Sequence, residues 1–145
     1  MIAKKVLLVL VVLSMFSAVG CQKLINERVE LIDPDVVGLA KPIREALLKN
    51  KKLILSIGTG LCENCKIVEE TLKEFEKEKP TDLEITIFTD YTDVKTFEIL
   101  KVTISPTTFL INENHEVKRR IIGPFTADEL KRYLKEIGFI KTKAP

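Results

Sequence analysis

Apolar residues recur along this chain with two different spacings. Leu53-Ile54-Leu55-Ser56-Ile57 is a short, almost wholly apolar run closed by Gly58-Thr59-Gly60, the pattern of a strand buried on both faces. From Glu63 to Lys79 the period changes: Val68, Leu72 and Phe75, with Thr71, fall on one face among Glu and Lys, and Pro80 stops the run, which predicts an amphipathic helix. Leu83, Ile85 and Ile87 alternate as in a strand, Tyr91–Leu100 reads as a short helix, and Thr107–Ile111 is another apolar strand. The turn residues Asn112-Glu113-Asn114-His115 lead into Val117–Ile122, the second arm of a hairpin. At the end, Thr126 and Glu129 form a capping box, Leu130, Tyr133, Leu134 and Ile137 share a helical face, and Gly138 stands where a helix terminus favours glycine.

The first half is less regular. Arg28–Ile32 fits a first strand, Asp33-Pro34 resembles a cap and first helical residue, and a helix is expected from there to Asn50, with a kink or late start at Pro42. The whole series predicts an α/β fold with a mixed sheet covered by helices on both faces. A length of 145 residues with 46% hydrophobic and 30% charged content suits one globular domain.

The first twenty residues are of another kind. Lys4 and Lys5 precede the apolar run Val6–Leu13, and small residues follow at Ser17-Ala18-Val19-Gly20. The run is shorter than the roughly 20 residues a spanning helix needs, and it reads as an export signal. Ala18-Val19-Gly20-Cys21 resembles the lipobox of bacterial lipoproteins, with Ala18 where Leu is commoner. The resemblance implies acylation of Cys21 and cleavage before it; plain cleavage, an uncleaved anchor or an unmodified thiol are the other readings. The expected organisation is a signal at 1–20, a tether at 21–27 and a domain at 28–145. Lipid chains at Cys21 would tether the protein without a spanning helix. Localisation is then the cell envelope, on a bacterial membrane facing the periplasm or exterior.

Cleavage removes two of the 23 basic residues and leaves 21 against 21 acidic ones, so the formal charge of +2 belongs to the signal. Neither a basic stripe nor aromatic interleaving appears, which excludes nucleic acid as an expected partner.

Three cysteines divide into Cys21 and the close pair Cys62-Glu63-Asn64-Cys65. Outside the cytoplasm such a pair can cycle or stay oxidised. Set between a buried strand and a helix, Cys62 lies at the helix N-terminus, where free N–H groups and the macrodipole favour a thiolate. Cys65 lies about one turn further in, within disulfide reach and less exposed. Cys62 therefore attacks, and Cys65 resolves the mixed disulfide. A Cys-x-x-Cys is also half of a zinc site, but a closed site needs four ligands and the only histidine, His115, falls in a turn, where it reads as a solvent-facing hairpin residue. The Glu and Lys of the 63–79 helix read as its solvated face.

From Lys51 to Ile137 these segments resemble the thioredoxin family. Three elements agree in order: strand, loop, Cys62-Glu63-Asn64-Cys65 and helix; then Val102-Thr103-Ile104-Ser105-Pro106-Thr107 and a strand; then the hairpin, Gly123 and a final helix. The resemblance implies a thioredoxin-like three-layer fold with a central mixed sheet of four to five strands. It also implies that Pro106 is cis and faces the cysteine pair, and that Ser105, Pro106 and Leu61 take part in binding extended substrate. Cofactors are not implied.

Departures from the family pattern bear on mechanism. Leu61 replaces the usual Trp, of which the chain has none, and Glu63-Asn64 replaces Gly-Pro. The buried Asp of many thioredoxins, six residues before the first cysteine, is Ser56 here. Proton transfer for Cys65 then relies on water or another group, and Glu63 opposes the helix dipole beside the thiolate, which favours the disulfide. The expected activity is reduction or isomerisation of disulfides in exported client proteins, or maintenance of an apocytochrome or metal-site thiol pair, with electrons from a separate membrane donor. The other classes are a thioredoxin-fold binding module with a structural disulfide, and a copper(I) metallochaperone.

Overall fold

Pairing of β strands places the all-apolar runs in the middle of one four-stranded sheet. The computed structural model describes residues 30–141. In chain order the elements are α1 (Lys41–Leu47), β1 (Lys52–Ile57), α2 (Glu63–Glu76), β2 (Leu83–Phe88), α3 (Val94–Ile99), β3 (Thr107–Ile111), β4 (Val117–Ile122) and α4 (Ala127–Glu136). The sheet order is β2-β1-β3-β4, with β1 parallel to β2, and β3 antiparallel to both β1 and β4. β3 is buried throughout and β1 from its second residue, while the edge strands β2 and β4 are largely half-buried.

Alternation along the strands sorts their side chains into two cores. Leu53, Leu55, Ile57, Phe109 and Ile111 pack with Ile43 and Leu47 of α1 and with Leu100 after α3. Ile54 and Leu110 face the other way, to Val68, Leu72 and Phe75 of α2 and Leu130 and Leu134 of α4. This is the expected three-layer α/β arrangement: the successive residues of a central strand must both be apolar because each supplies a different layer. Ser56 and Thr108, neighbours across β1 and β3, belong by the same alternation to the face covered by α2.

Helix limits follow local chemistry. Cys62 is the N-cap of α2, and α4 carries the expected capping box, with Thr126 accepting from the Glu129 amide and Glu129 accepting from the Thr126 amide. α2 ends at Glu76, three residues before Lys79, in a turn ahead of Pro80; the residue before proline disfavours helical backbone.

Four expectations are corrected. The helix does not begin at Asp33, whose carboxylate accepts from the Asp35 amide in a local turn; Gly38 then takes φ 100°, and the helix begins late, at Lys41, with Pro42 in its first turn. The helix expected at Tyr91–Leu100 starts at Val94, because Asp93 rather than an earlier residue caps it by accepting from the Thr96 amide at 3.0 Å. The strand expected at Arg28–Ile32 is, among the described residues, one antiparallel bridge between Leu31 and Glu116, so the sheet has four strands; Arg28 and Val29 lie outside the described residues. His115 does not simply face solvent: at φ 63° its Nε2 donates to the Leu47 carbonyl at 3.0 Å, tying the hairpin turn to the end of α1. The signal, Cys21 and the 21–27 tether also lie outside the described residues.

Candidate active site

β1 runs out of apolar residues at Gly58, and the chain turns through Thr59, Gly60 and Leu61 into α2. Gly60 has φ 67°, a backbone shape that side chains resist. Gly58 is needed for space: a Cβ there would sit 3.2 Å from the Cys65 sulfur. The strand end and the first turn of α2 therefore meet at that sulfur.

Cys62 and Cys65 form a disulfide, with Cα atoms 5.1 Å apart. Their environments differ. Cys62 is half-buried at the N-cap, in extended backbone, and its Sγ accepts the Cys65 amide N–H at 3.1 Å. This N–H is one of the four that a helix start leaves without an intrahelical partner, and it is directed at sulfur. Cys65 is 5% exposed and lies one turn into the helix. Leu61, immediately before the pair, is 73% exposed. An attacking group therefore reaches Cys62 and not Cys65.

The second wall is the segment before β3. Register pairs Ile57 with Thr107, so Pro106 enters the sheet beside the Gly58 end of β1, next to the cysteine loop. The Ser105–Pro106 peptide is cis, as expected. The Pro106 carbonyl accepts from the Gly123 amide at 2.9 Å, and Thr107 Oγ1 donates to the Ile104 carbonyl at 2.6 Å, which together hold the loop against the end of β4. Ser105 makes no hydrogen bond among the described residues, leaving its backbone groups open. The fold thus collects Leu61, Cys62, Cys65, Ser105 and Pro106 at one end of the sheet, and leaves Cys21 outside the described residues.

No carboxylate is buried with the sulfurs. The buried polar side chains among the described residues are Ser56, Thr96, Thr107 and Thr108, all hydroxyls. Six residues before Cys62, Ser56 accepts a hydrogen bond from Thr108 Oγ1 at 3.3 Å. A different hydroxyl approaches the reactive pair: Thr59 Oγ1 lies 3.9 Å from Cys65 Sγ. The sequence has no motif that singles out Thr59, since a hydroxyl between two glycines reads as ordinary turn chemistry. No group of three or more His, Cys, Asp or Glu is gathered among the described residues. No helix among them is long and apolar enough to cross a membrane.

No protein-family model matches the chain, and no curated protein matches it in sequence. Solved structures match its fold. Chloroplastic thioredoxin z is 16% identical with TM-score 0.59, over 70% of this chain and 92% of that one. Desulfothioredoxin from Desulfovibrio vulgaris Hildenborough, in its reduced form, is 20% identical with TM-score 0.56, over 70% and 94%. Mitochondrial thioredoxin 3 from Saccharomyces cerevisiae, in its oxidized form, is 21% identical with TM-score 0.55, over 65% and 86%. At such identities the likeness is one of backbone architecture, spread over most of each partner.

Proposed function

We propose that this chain, which has the thioredoxin fold, is a thiol–disulfide oxidoreductase. The observation that carries the reading is the asymmetry of the pair: an accessible Cys62 whose sulfur already accepts a helix-start N–H, joined to a Cys65 that only Cys62 can reach. Once the disulfide is reduced, the same N–H and the helix dipole favour a thiolate on Cys62. That thiolate attacks a client disulfide, one client sulfur leaves as a thiolate, and a mixed disulfide remains. Cys65 then attacks Cys62 Sγ, releasing the second client thiolate and restoring the disulfide seen here.

The finer reading is that the protein is exported, lipid-anchored through Cys21, and works in the reducing or isomerising direction on exported clients, recharged by a separate membrane donor. Support comes from the signal-like N-terminus and from exposed Glu63 in the first turn of α2, whose charge opposes the thiolate. Equilibration with glutathione tests the direction: a potential like that of strong periplasmic oxidants contradicts it.

Insulin reduction tests the activity. The wild-type protein is expected to precipitate the insulin B chain, and Cys62→Ser to lose all activity, while Cys65→Ser retains clients as mixed disulfides on Cys62. An inactive wild type that captures nothing favours the second reading, a binding module with a structural disulfide, for which the missing buried carboxylate is the supporting observation.

A further inference from the structure

The resolving step has an unsolved requirement. When Cys65 acts as a nucleophile it must first lose a proton, and when it is the leaving sulfur it must carry a negative charge. Both occur at a buried atom, where a bare anion is costly. A buried carboxylate does not meet that requirement here, since the buried polar groups among the described residues are all hydroxyls.

Thr59 meets it. Its Oγ1 is 3.9 Å from Cys65 Sγ, within hydrogen-bonding range for sulfur, and it also accepts the Leu61 amide N–H at 3.4 Å. Those two contacts determine the direction of the bond. A disulfide sulfur has no hydrogen to give, and the threonine oxygen is already an acceptor for Leu61, so the hydroxyl proton is free to be donated to Cys65 Sγ. The Cys62 and Cys65 sulfurs thus each accept one donor, the Cys65 amide for the first and the Thr59 hydroxyl for the second. Gly58 allows the sulfur to sit against the strand end: the closest atom to its absent Cβ is Cys65 Sγ.

We propose that Thr59 is a catalytic residue, donating a hydrogen bond from its hydroxyl to the Cys65 sulfur whenever that sulfur is a thiolate. The inference rests on the oxidoreductase reading and adds to it the group that handles the buried sulfur. In the reducing direction, the Cys65 proton passes to solvent and the thiolate waits under the Thr59 O–H. It then attacks Cys62 Sγ, its lone pair becoming the Cys62–Cys65 bond while the electrons of the mixed disulfide leave with the client thiolate. In reverse, a client thiolate attacks Cys62 Sγ, and the electrons of the Cys62–Cys65 bond pass to Cys65, which Thr59 again receives. Thr59 donates a hydrogen bond throughout and does not itself ionise.

Other groups around Cys65 do not take this role. Gly58–Leu61 brings no charged residue, and β1 and β3 bring the hydroxyls Ser56, Thr107 and Thr108. The charged neighbours, Glu63 and Lys66 on α2 and Asp90 in the turn after β2, are exposed. Glu69 is half-buried and has its own partner, Lys73, at 2.7 Å.

The test uses the full-length protein with Cys62→Ser, so that Cys65 is its one thiol at the pair and no client is needed. The pH dependence of the Cys65 thiolate's ultraviolet absorbance, which needs no reagent to reach the buried sulfur, is compared after adding Thr59→Val or Thr59→Ser, with the Cys62→Ser/Cys65→Ser protein subtracted to remove Cys21 and the tyrosines. Valine, which keeps the shape and removes the hydroxyl, is expected to raise the titration midpoint by about one pH unit, the scale of one hydrogen bond to an anion. Serine is expected to restore it. An unchanged midpoint in Thr59→Val, or the same shift in Thr59→Ser, overturns the proposal; should the valine variant fail to fold, Thr59→Ala is read by the same criterion. Because this titration requires no turnover, its failure is separate from a failure of insulin reduction.

Discussion

The two ends of β1 solve opposite electrostatic problems. At its start, charges are paired at the protein surface: Lys52 Nζ donates to Asp82 at 2.9 Å, and Lys49 is bonded to Glu84 on the neighbouring edge strand. Lysine ammonium groups there also reach backbone carbonyls, Lys51 that of Thr81 and Lys52 that of Phe139. At its other end the strand offers Ser56, Gly58 and Thr59 to a pair of sulfurs, and no buried charge. One six-residue strand thus joins a wet region where ion pairs are cheap and weak to an end without buried charge, where reduction of the disulfide would leave a thiolate as the chief charge. Hydroxyls suit the second end because they can solvate that anion without adding a charge that must itself be buried.

The comparison is broken most severely by putting a carboxylate at the dry end. Ser56→Asp would bury an ionisable group beside Thr108 with no cation near, and is expected to cost about 3 kcal/mol at neutral pH. Burial raises the folded-state pKa of such a group above its unfolded value of about 3.9, so the penalty is absent while both states are protonated and grows as pH rises. Urea unfolding at pH 7.5 and at pH 4 reads this directly. An equal loss at both values means that steric crowding, not charge, governs the site.

Gly58→Ala tests the packing of the same end with no change of charge. A methyl placed 3.2 Å from Cys65 Sγ has to displace a sulfur held by both the helix and the disulfide, and about 1–2 kcal/mol of stability is expected to be lost, with slower thiol exchange. Unchanged unfolding and unchanged insulin reduction would show that the sulfur moves freely, against the tight contact described here.

The smallest effect belongs to the wet end. Glu84→Gln removes the partner of a half-exposed Lys49 and is expected to cost at most about 1 kcal/mol, leaving thiol exchange as in the wild type. The hydrogen bond from Lys49 holds the Glu84 carboxyl below its usual range, and that from Lys52 does the same for Asp82. A lowered folded-state pKa contributes stability above the unfolded values, about 4.3 and 3.9, that is lost as pH falls through the lower folded ones. Acid unfolding of Glu84→Gln should therefore be shallower below about pH 4 than that of the wild type. A variant that also alters insulin reduction would join two regions that the structure keeps apart.

Legibility in the sequence followed the strength of the local signal. The double-sided strands β1 and β3, the amphipathic α2 and the capping box of α4 each rest on many residues pointing the same way, and their positions agree with the pattern to within a few residues. The segment before α1 misled because Asp33-Pro34 imitates a helix start, while Gly38 and Pro42 together delay it to Lys41. The first strand shrank to a bridge because pairing at Leu31 depends on what stands at Glu116, far along the chain. His115 read as a loop residue because its partner, the Leu47 carbonyl, is 68 positions away.

By itself, the sequence determined the strands and helices with a strong periodic signal, β1, α2, β3, β4 and α4, and that two cysteines lie one turn apart at a helix start. Those are short-range facts, set by periodicity, turn chemistry and spacing. Only the tertiary structure decided what surrounds the second sulfur. Gly58 and Thr59 meet the sulfur because the loop folds back over the first turn of α2, and Pro106 reaches the same end only when β1 and β3 pair; these distances depend on backbone geometry that no periodic pattern encodes.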